Sequence, residues 1–78
     1  MKGGFMNVVV GFDTTSEAIL TEEFFKEKDL KGELIPIPDE LGAGCGLCYK
    51  FFTDNEEEIR KIMEENELSF SIIKVMEV

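Results

Sequence analysis

The order in which strand-like and helix-like periodicity alternates constrains this chain more than any single motif does. The stretch FMNVVVGF (5–12) is β-branched and aromatic, with Met6, Val8, Val10 and Phe12 on one side and Phe5 and Val9 on the other. A strand apolar on both faces belongs inside a sheet. DTTSEAILTEEFFKEKDLKG then takes helical spacing: Ala18, Thr21, Phe24 and Phe25 share a face, Thr14 and Glu17 form a capping box, and Gly32 is the expected stop. ELIPIP (33–38) is a short strand, and Pro36 and Pro38, which donate no ladder hydrogen bonds, send it to an edge. LCYKFF (47–52) alternates Leu47, Tyr49 and Phe51 with Cys48, Lys50 and Phe52. TDNEEEIRKIMEEN is a second helix, capped by Thr53 with Glu56 or by Asp54 with Glu57. It carries Glu56–Arg60 and Glu57–Lys61 pairs and buries Ile59, Ile62 and Met63. FSIIKVMEV (70–78) is a last strand, with Phe70, Ile72 and Met76 against Ile73 and Val75.

The resulting order is β-α-β-β-α-β, which predicts an α+β, ferredoxin-like fold. Its four antiparallel strands stand in the spatial order 4-1-3-2 with both helices on one face. Residues 1–78 are expected to form a single domain. A domain of this size buries only about 60% of its unfolded surface. Strands apolar on both faces leave an apolar surface where no helix lies, so a homodimer or a partner docked on the open sheet face is expected. The topology also sets the N-terminus of the first helix, at Thr14, Thr15 and Ser16, beside the loop joining strands 2 and 3.

Charge narrows the function classes. Seventeen acidic against eight basic residues give a net charge of −9. That field repels phosphate backbones and anionic lipid heads, so neither a nucleic acid nor a membrane surface is an expected partner. The N-terminal MKGGFMNVVVGF lacks the apolar block and cleavage site of a signal peptide, and no segment nears the roughly 18 apolar residues of a membrane span. The expected location is the cytoplasm, where cysteines stay reduced unless they are catalytic or metal-bound.

Both cysteines lie in LGAGCGLCYKFF (41–52), three residues apart. An unperturbed thiol titrates at about 8.5 and supplies little thiolate at neutral pH. Gly44 and Gly46 (with Gly42) let backbone N–H groups turn toward Cys45, and the first helix adds its own N–H groups and the hydroxyls of Thr14 and Thr15. That pocket suits a thiolate, a persulfide or a selenide. Small filler residues in a tight loop are the plainer account of the same letters. Thioredoxin-like chemistry fits less well, because a strand rather than a helix follows the motif. A metal site needs about four ligands, and one chain offers two thiols and no histidine, so only a dimer sharing four cysteines, or recruited carboxylates, would suffice. No cofactor is expected. If the strand already runs through Gly46 and Leu47, Cys45 and Cys48 lie about 10 Å apart, beyond disulfide reach. A tight turn centred on Gly46 and Leu47 would bring them within about 7 Å and permit a bridge. The prolines end strand 2 by about Pro38, which favours a long loop over 39–46, so both cysteines are expected to be reduced, with Cys45 at the loop tip near Thr14 and Thr15 and Cys48 opening strand 3.

These residues resemble the selenium/sulfur carrier protein-like family. Phe12, Thr15 and Ala18 match its F-x-x-T-x-x-A block; Leu34, Ile35, Pro36, Pro38, Leu41, Cys45 and Gly46 match its L-I-P-x-P…C-G block; Phe51 fits the hydrophobic position that follows. The similarity runs from about Asn7 to Glu77. Asp39 stands where the family usually has a basic residue, Ser16 where it often has histidine, and Cys48 where it often has a small residue. The resemblance implies a carrier rather than a turnover enzyme. A cysteine desulfurase or selenocysteine lyase type of donor would load Cys45, and an acceptor enzyme would receive the atom. Cys48, an addition to the family pattern, could serve as a resolving thiol. A thiol redox or metal-binding module, or an interaction domain with a purely structural loop, are the alternatives.

Overall fold

The structure, a computed structural model, describes residues 6–28, 31–37 and 46–77. Its elements are β1 (Met6–Gly11), α1 (Thr15–Lys26), β2 (Gly32–Pro36), β3 (Leu47–Phe51), α2 (Glu56–Glu65) and β4 (Ile72–Glu77). The sheet order is β2-β3-β1-β4 and every pairing is antiparallel. The expected ferredoxin-like α+β arrangement is the observed one.

Alternation along the strands sorts side chains between two cores. Val8, Val10, Tyr49 and Phe51 pack with Ala18 and Phe25 of α1 and Ile59 and Met63 of α2, so both helices lie on one face. Within this core Phe25, Tyr49 and Phe51 meet ring to ring, with centroids 4.7–6.1 Å apart. The other face carries a smaller cluster, Val9 and Cys48, bordered by half-buried Ile35, Ile37, Ile72 and Met76. Across this face Ile35, Cys48, Gly11 and Ile72 form one row. A Cβ at Gly11 would stand 2.8 Å from Ile72 Cγ2 and 3.4 Å from Ile37 Cδ1, so those side chains converge over the glycine. That convergence buries Cys48 on a face without a helix.

Pro36 sits in β2 without costing a ladder bond. The N–H of Ile37 donates inward to the Gly46 carbonyl (3.0 Å). Backbone donors alternate in direction along a strand, so the nitrogen of Pro36 faces outward, where an edge strand has no neighbour.

Several local expectations are corrected by tertiary contacts. Helix α1 ends at Lys26, with Glu27 as its C-cap, whereas Gly32 pairs with Phe51 in the sheet. The cap of α2 is Asn55, whose side chain accepts from the Glu58 N–H (3.1 Å). Thr53 is unsuited to that role because its carbonyl takes the N–H of Val8 (2.7 Å), holding it in the sheet. Phe70 precedes β4 and packs with the helix-side core rather than beside Ile72 and Met76. Met6, at the outer end of β1, is half exposed instead of joining Val8 and Val10. Of the two expected helix pairs, Glu56–Arg60 closes at 2.6 Å, while Glu57 and Lys61 remain exposed. Phe5, Pro38 and Val78 lie outside the described residues.

Candidate functional site

Thr14 is the N-cap of α1, with an extended backbone, and its hydroxyl accepts the Glu17 N–H at 3.2 Å. The reciprocal contact reaches one residue further back than a capping box does: the Asp13 N–H donates to Glu17 Oε1 (3.2 Å). Thr15 and Ser16 begin the helix and are exposed. Their N–H groups belong to the first turn, which has no intrahelical acceptor. The Glu17 carboxylate nevertheless brings negative charge to this helix end, opposing a second anion there.

Gly11, just before this cap, pairs with Cys48 at the start of β3. The α1 N-terminus and the Gly46–Cys48 segment therefore occupy the same end of the sheet. Gly46 has φ +83°, a left-handed conformation in which glycine carries no Cβ penalty, and a Cβ there would meet open space. It is exposed, so conformation rather than packing calls for glycine. Cys48 is fully buried among the helix-free cluster, its Sγ 4.0 Å from the Pro36 carbonyl oxygen. Its position in β3 agrees with the sequence expectation. Gly44 and Cys45, with Asp39 and Leu41, lie outside the described residues. Among the described residues, no group of three or more histidine, cysteine or acidic side chains could hold a metal ion, and no helix is long and apolar enough to cross a membrane.

A second feature, unforeseen from the sequence, lies at the opposite end of the sheet. Between the end of α1 and the start of β2 a groove of about 350 Å³ is lined by lysines 26, 28 and 31, by Glu22 and Glu33, and by aromatic Phe25, Tyr49 and Phe52. Its signal was present in KEKDLKGE, a lysine-rich helix exit running into a strand, but helix-face logic reads those charges only as solvated. Gly32 gives the groove its shape: a Cβ there would stand 2.5 Å from Tyr49 Cε2, so only glycine lets the ring lie across β2.

Tyr49 titrates above the ordinary tyrosine value of 10.0, chiefly through burial and further through the negative charges of Glu22 and Glu33. The folded state thus holds the phenol proton more tightly than the unfolded chain does. Its contribution to stability is complete below pH 10 and is lost as pH rises through the folded pKa. Tyr49 is the chain's one tyrosine and tryptophan is absent, so absorbance of the phenolate reports it alone. The expected titration midpoint of the native protein lies above that of the same protein in denaturant; coincident midpoints would contradict the buried placement.

The comparison with known families decides the affiliation of the chain. The model of the family described as "Putative Se/S carrier protein-like" matches residues 7–74. The chain belongs to this family. The match covers all six elements up to the middle of β4, including both blocks on which the resemblance rests. No curated protein and no solved structure matches the chain.

Proposed function

We propose that this protein is a cytoplasmic sulfur or selenium carrier whose loading residue is Cys45. Membership of the carrier family over residues 7–74 is the observation that carries this reading. The chemistry is a thiol exchange. The Cys45 thiolate attacks the outer sulfur of a donor persulfide, forming Cys45–S–SH and releasing the donor thiolate. A cysteine desulfurase or selenocysteine lyase type of enzyme is the donor, and an acceptor enzyme takes the atom onward.

Support for the site comes from the shared sheet end of Gly46 and the α1 N-terminus. Thr14, Thr15 and Ser16 are the groups proposed to stabilise the anion, joined by Gly44 on the sequence motif alone. Cys48 then attacks the inner sulfur, expels hydrosulfide and leaves a Cys45–Cys48 disulfide, which an external thiol reductant resets. Because Cys48 is fully buried, this step depends on opening at the β2–β3 end. A loaded carrier would hold its atom until a partner engages that end.

The test is to incubate the protein with a cysteine desulfurase and cysteine and record its intact mass. The expected product gains the mass of one sulfur atom in the wild type and in Cys48→Ala, and gains nothing in Cys45→Ser. A persistent adduct in Cys45→Ser, or none in the wild type, refutes the assignment. In Cys48→Ala the disulfide is lost and the loaded form accumulates.

The helix-free face, with half-buried Ile35, Ile37, Ile72 and Met76 around Val9 and Cys48, supports a homodimer through that surface. Light scattering is expected to return twice the chain mass at high micromolar concentration; a monomer at every concentration rules the dimer out.

A further inference from the structure

The two cysteines stand in a sequence relation that a continuous strand would defeat. Side chains of a strand alternate between its faces, so residues three apart point to opposite sides of the sheet. Cys48 lies on the helix-free face with Val9, whereas Leu47 and Tyr49 belong to the helix-side core. If β3 ran back through Gly46, Cys45 would take the helix side with Leu47, about 10 Å from Cys48. The register that sets Pro36 opposite Leu47 would then make position 45 one more rung of the ladder. Neither thiol could reach the other.

The strand is interrupted at a single torsion. Leu47 is the first residue of β3, and Gly46, just before it, has φ +83°. The Gly46 carbonyl accepts the Ile37 N–H at 3.0 Å, one step past the Pro36–Leu47 pair. That side of the residue is tied into the sheet, so φ, the torsion on its amide side, decides where the chain toward Cys45 goes. Packing does not impose the value: Gly46 is exposed, and a Cβ there would meet nothing within 4 Å. A residue with a Cβ and room to turn would relax to negative φ, the extended region that continues β3. The interruption falls beside the buried thiol, since Cys48 Sγ lies 4.0 Å from the Pro36 carbonyl oxygen.

We propose that Gly46 is a positioning residue for exchange between Cys45 and Cys48. Its left-handed torsion ends the strand between the two thiols and frees Cys45 from the alternation that would hold it on the opposite face. The purpose of the exchange rests on the carrier reading, whereas its dependence on the torsion does not. Glutathione disulfide reads the geometry without any sulfur donor. The Cys45 thiolate attacks it, forming a mixed disulfide and releasing one glutathione thiolate; Cys48 then displaces the second and closes the Cys45–Cys48 bond. The protein dithiol loses two electrons and two protons, and two glutathione thiols are formed. In sulfur delivery the same displacement, at the inner sulfur of the persulfide, expels hydrosulfide.

The full chain, equilibrated under native conditions with set ratios of reduced and oxidised glutathione, is acid-quenched, alkylated and weighed intact. The wild type is expected to form the intramolecular disulfide. Gly46→Val, β-branched and an outlier at positive φ, is expected to lower the equilibrium constant about tenfold or more. Gly46→Asn, which also adds a Cβ but tolerates the left-handed torsion, is expected to stay within about threefold of the wild type. Gly46→Ala is expected between the two. A merely structural glycine would shift the unfolding midpoints of the reduced variants and leave their glutathione constants alike. A wild type that forms only mixed disulfides overturns the proposal, as does a Gly46→Val constant equal to the wild type or a Gly46→Asn constant as low as that of Gly46→Val. Incubation with a desulfurase and cysteine separates the two readings. A wild type that gains no sulfur yet keeps this torsion dependence refutes the carrier role alone. A wild type that loads while Gly46→Val closes its disulfide as readily refutes the positioning role alone.

Discussion

Phe51→Ala is expected to cost about 3–5 kcal/mol, the usual range for deleting a buried phenyl ring. Phe51 is fully buried at the centre of the aromatic cluster, 4.7 Å from the Phe25 centroid and 4.8 Å from that of Tyr49. Its strand neighbours are Val8 on one side and Gly32 on the other. Neither can fill the space, since valine is short and glycine has no side chain. A domain of this length has a total stability of about 4–12 kcal/mol, so this one change removes a quarter or more of it. Urea unfolding followed by far-UV circular dichroism should show a lower midpoint with an unchanged slope. A midpoint within experimental error of the wild type would mean that the three rings are not the centre of the core.

Gly32→Ala is expected to cost about 2–3 kcal/mol, at the upper end for overpacking. The added Cβ would stand 2.5 Å from Tyr49 Cε2 and 2.6 Å from the Lys50 carbonyl oxygen. That oxygen is backbone in β3, so relieving the contact means parting β2 from β3, its one neighbour among the described strands. Gly11→Ala provides the control. Its Cβ would meet Ile72 Cγ2 at 2.8 Å, a side-chain methyl of a half-buried residue rather than sheet backbone, so the contact is relieved by a shift of that side chain without parting two strands. Its cost is expected to be about 1 kcal/mol or less, because the alanine also restricts the unfolded chain. Equal costs at the two positions would show that crowding at the backbone is not what selects glycine at position 32.

Those two glycines also show what a sequence conceals. Strand order, edge position and helix count were legible because they follow from periodicity and from where proline is tolerated. Gly32 read as a helix stop because glycine after lysine commonly ends a helix. Its actual role is set by Tyr49, seventeen positions along the chain, and local pattern carries no such information. The capping pattern pointed to Thr53 or Asp54 for α2 and passed over Asn55. The choice fell to Asn55 because the sheet had already engaged the Thr53 carbonyl. On the functional side, Thr14 as a cap and Cys48 at the opening of β3 were readable from spacing. The burial of Cys48 was not, since it depends on Ile37 and Ile72 closing over a glycine in a third strand. The groove was missed for the same reason: its lysines and its phenol come from segments that meet only after β2 pairs with β3.

The outward-facing nitrogen of Pro36 has a consequence for how this sheet can grow. A strand that adds to an edge needs donors and acceptors along it, and β2 lacks a donor within its five residues. At the other edge β4 runs six residues without a proline. Sheet extension is therefore directional. Polymerisation into a ribbon requires two competent edges on every unit, so that each can be both template and addition. A unit blunted on one side can join a second through its remaining edge, and the assembly then ends. The proline thus works as a chain terminator: replacing it with a residue that has an N–H would restore the second edge and, with it, the route from a closed pair to an open fibre.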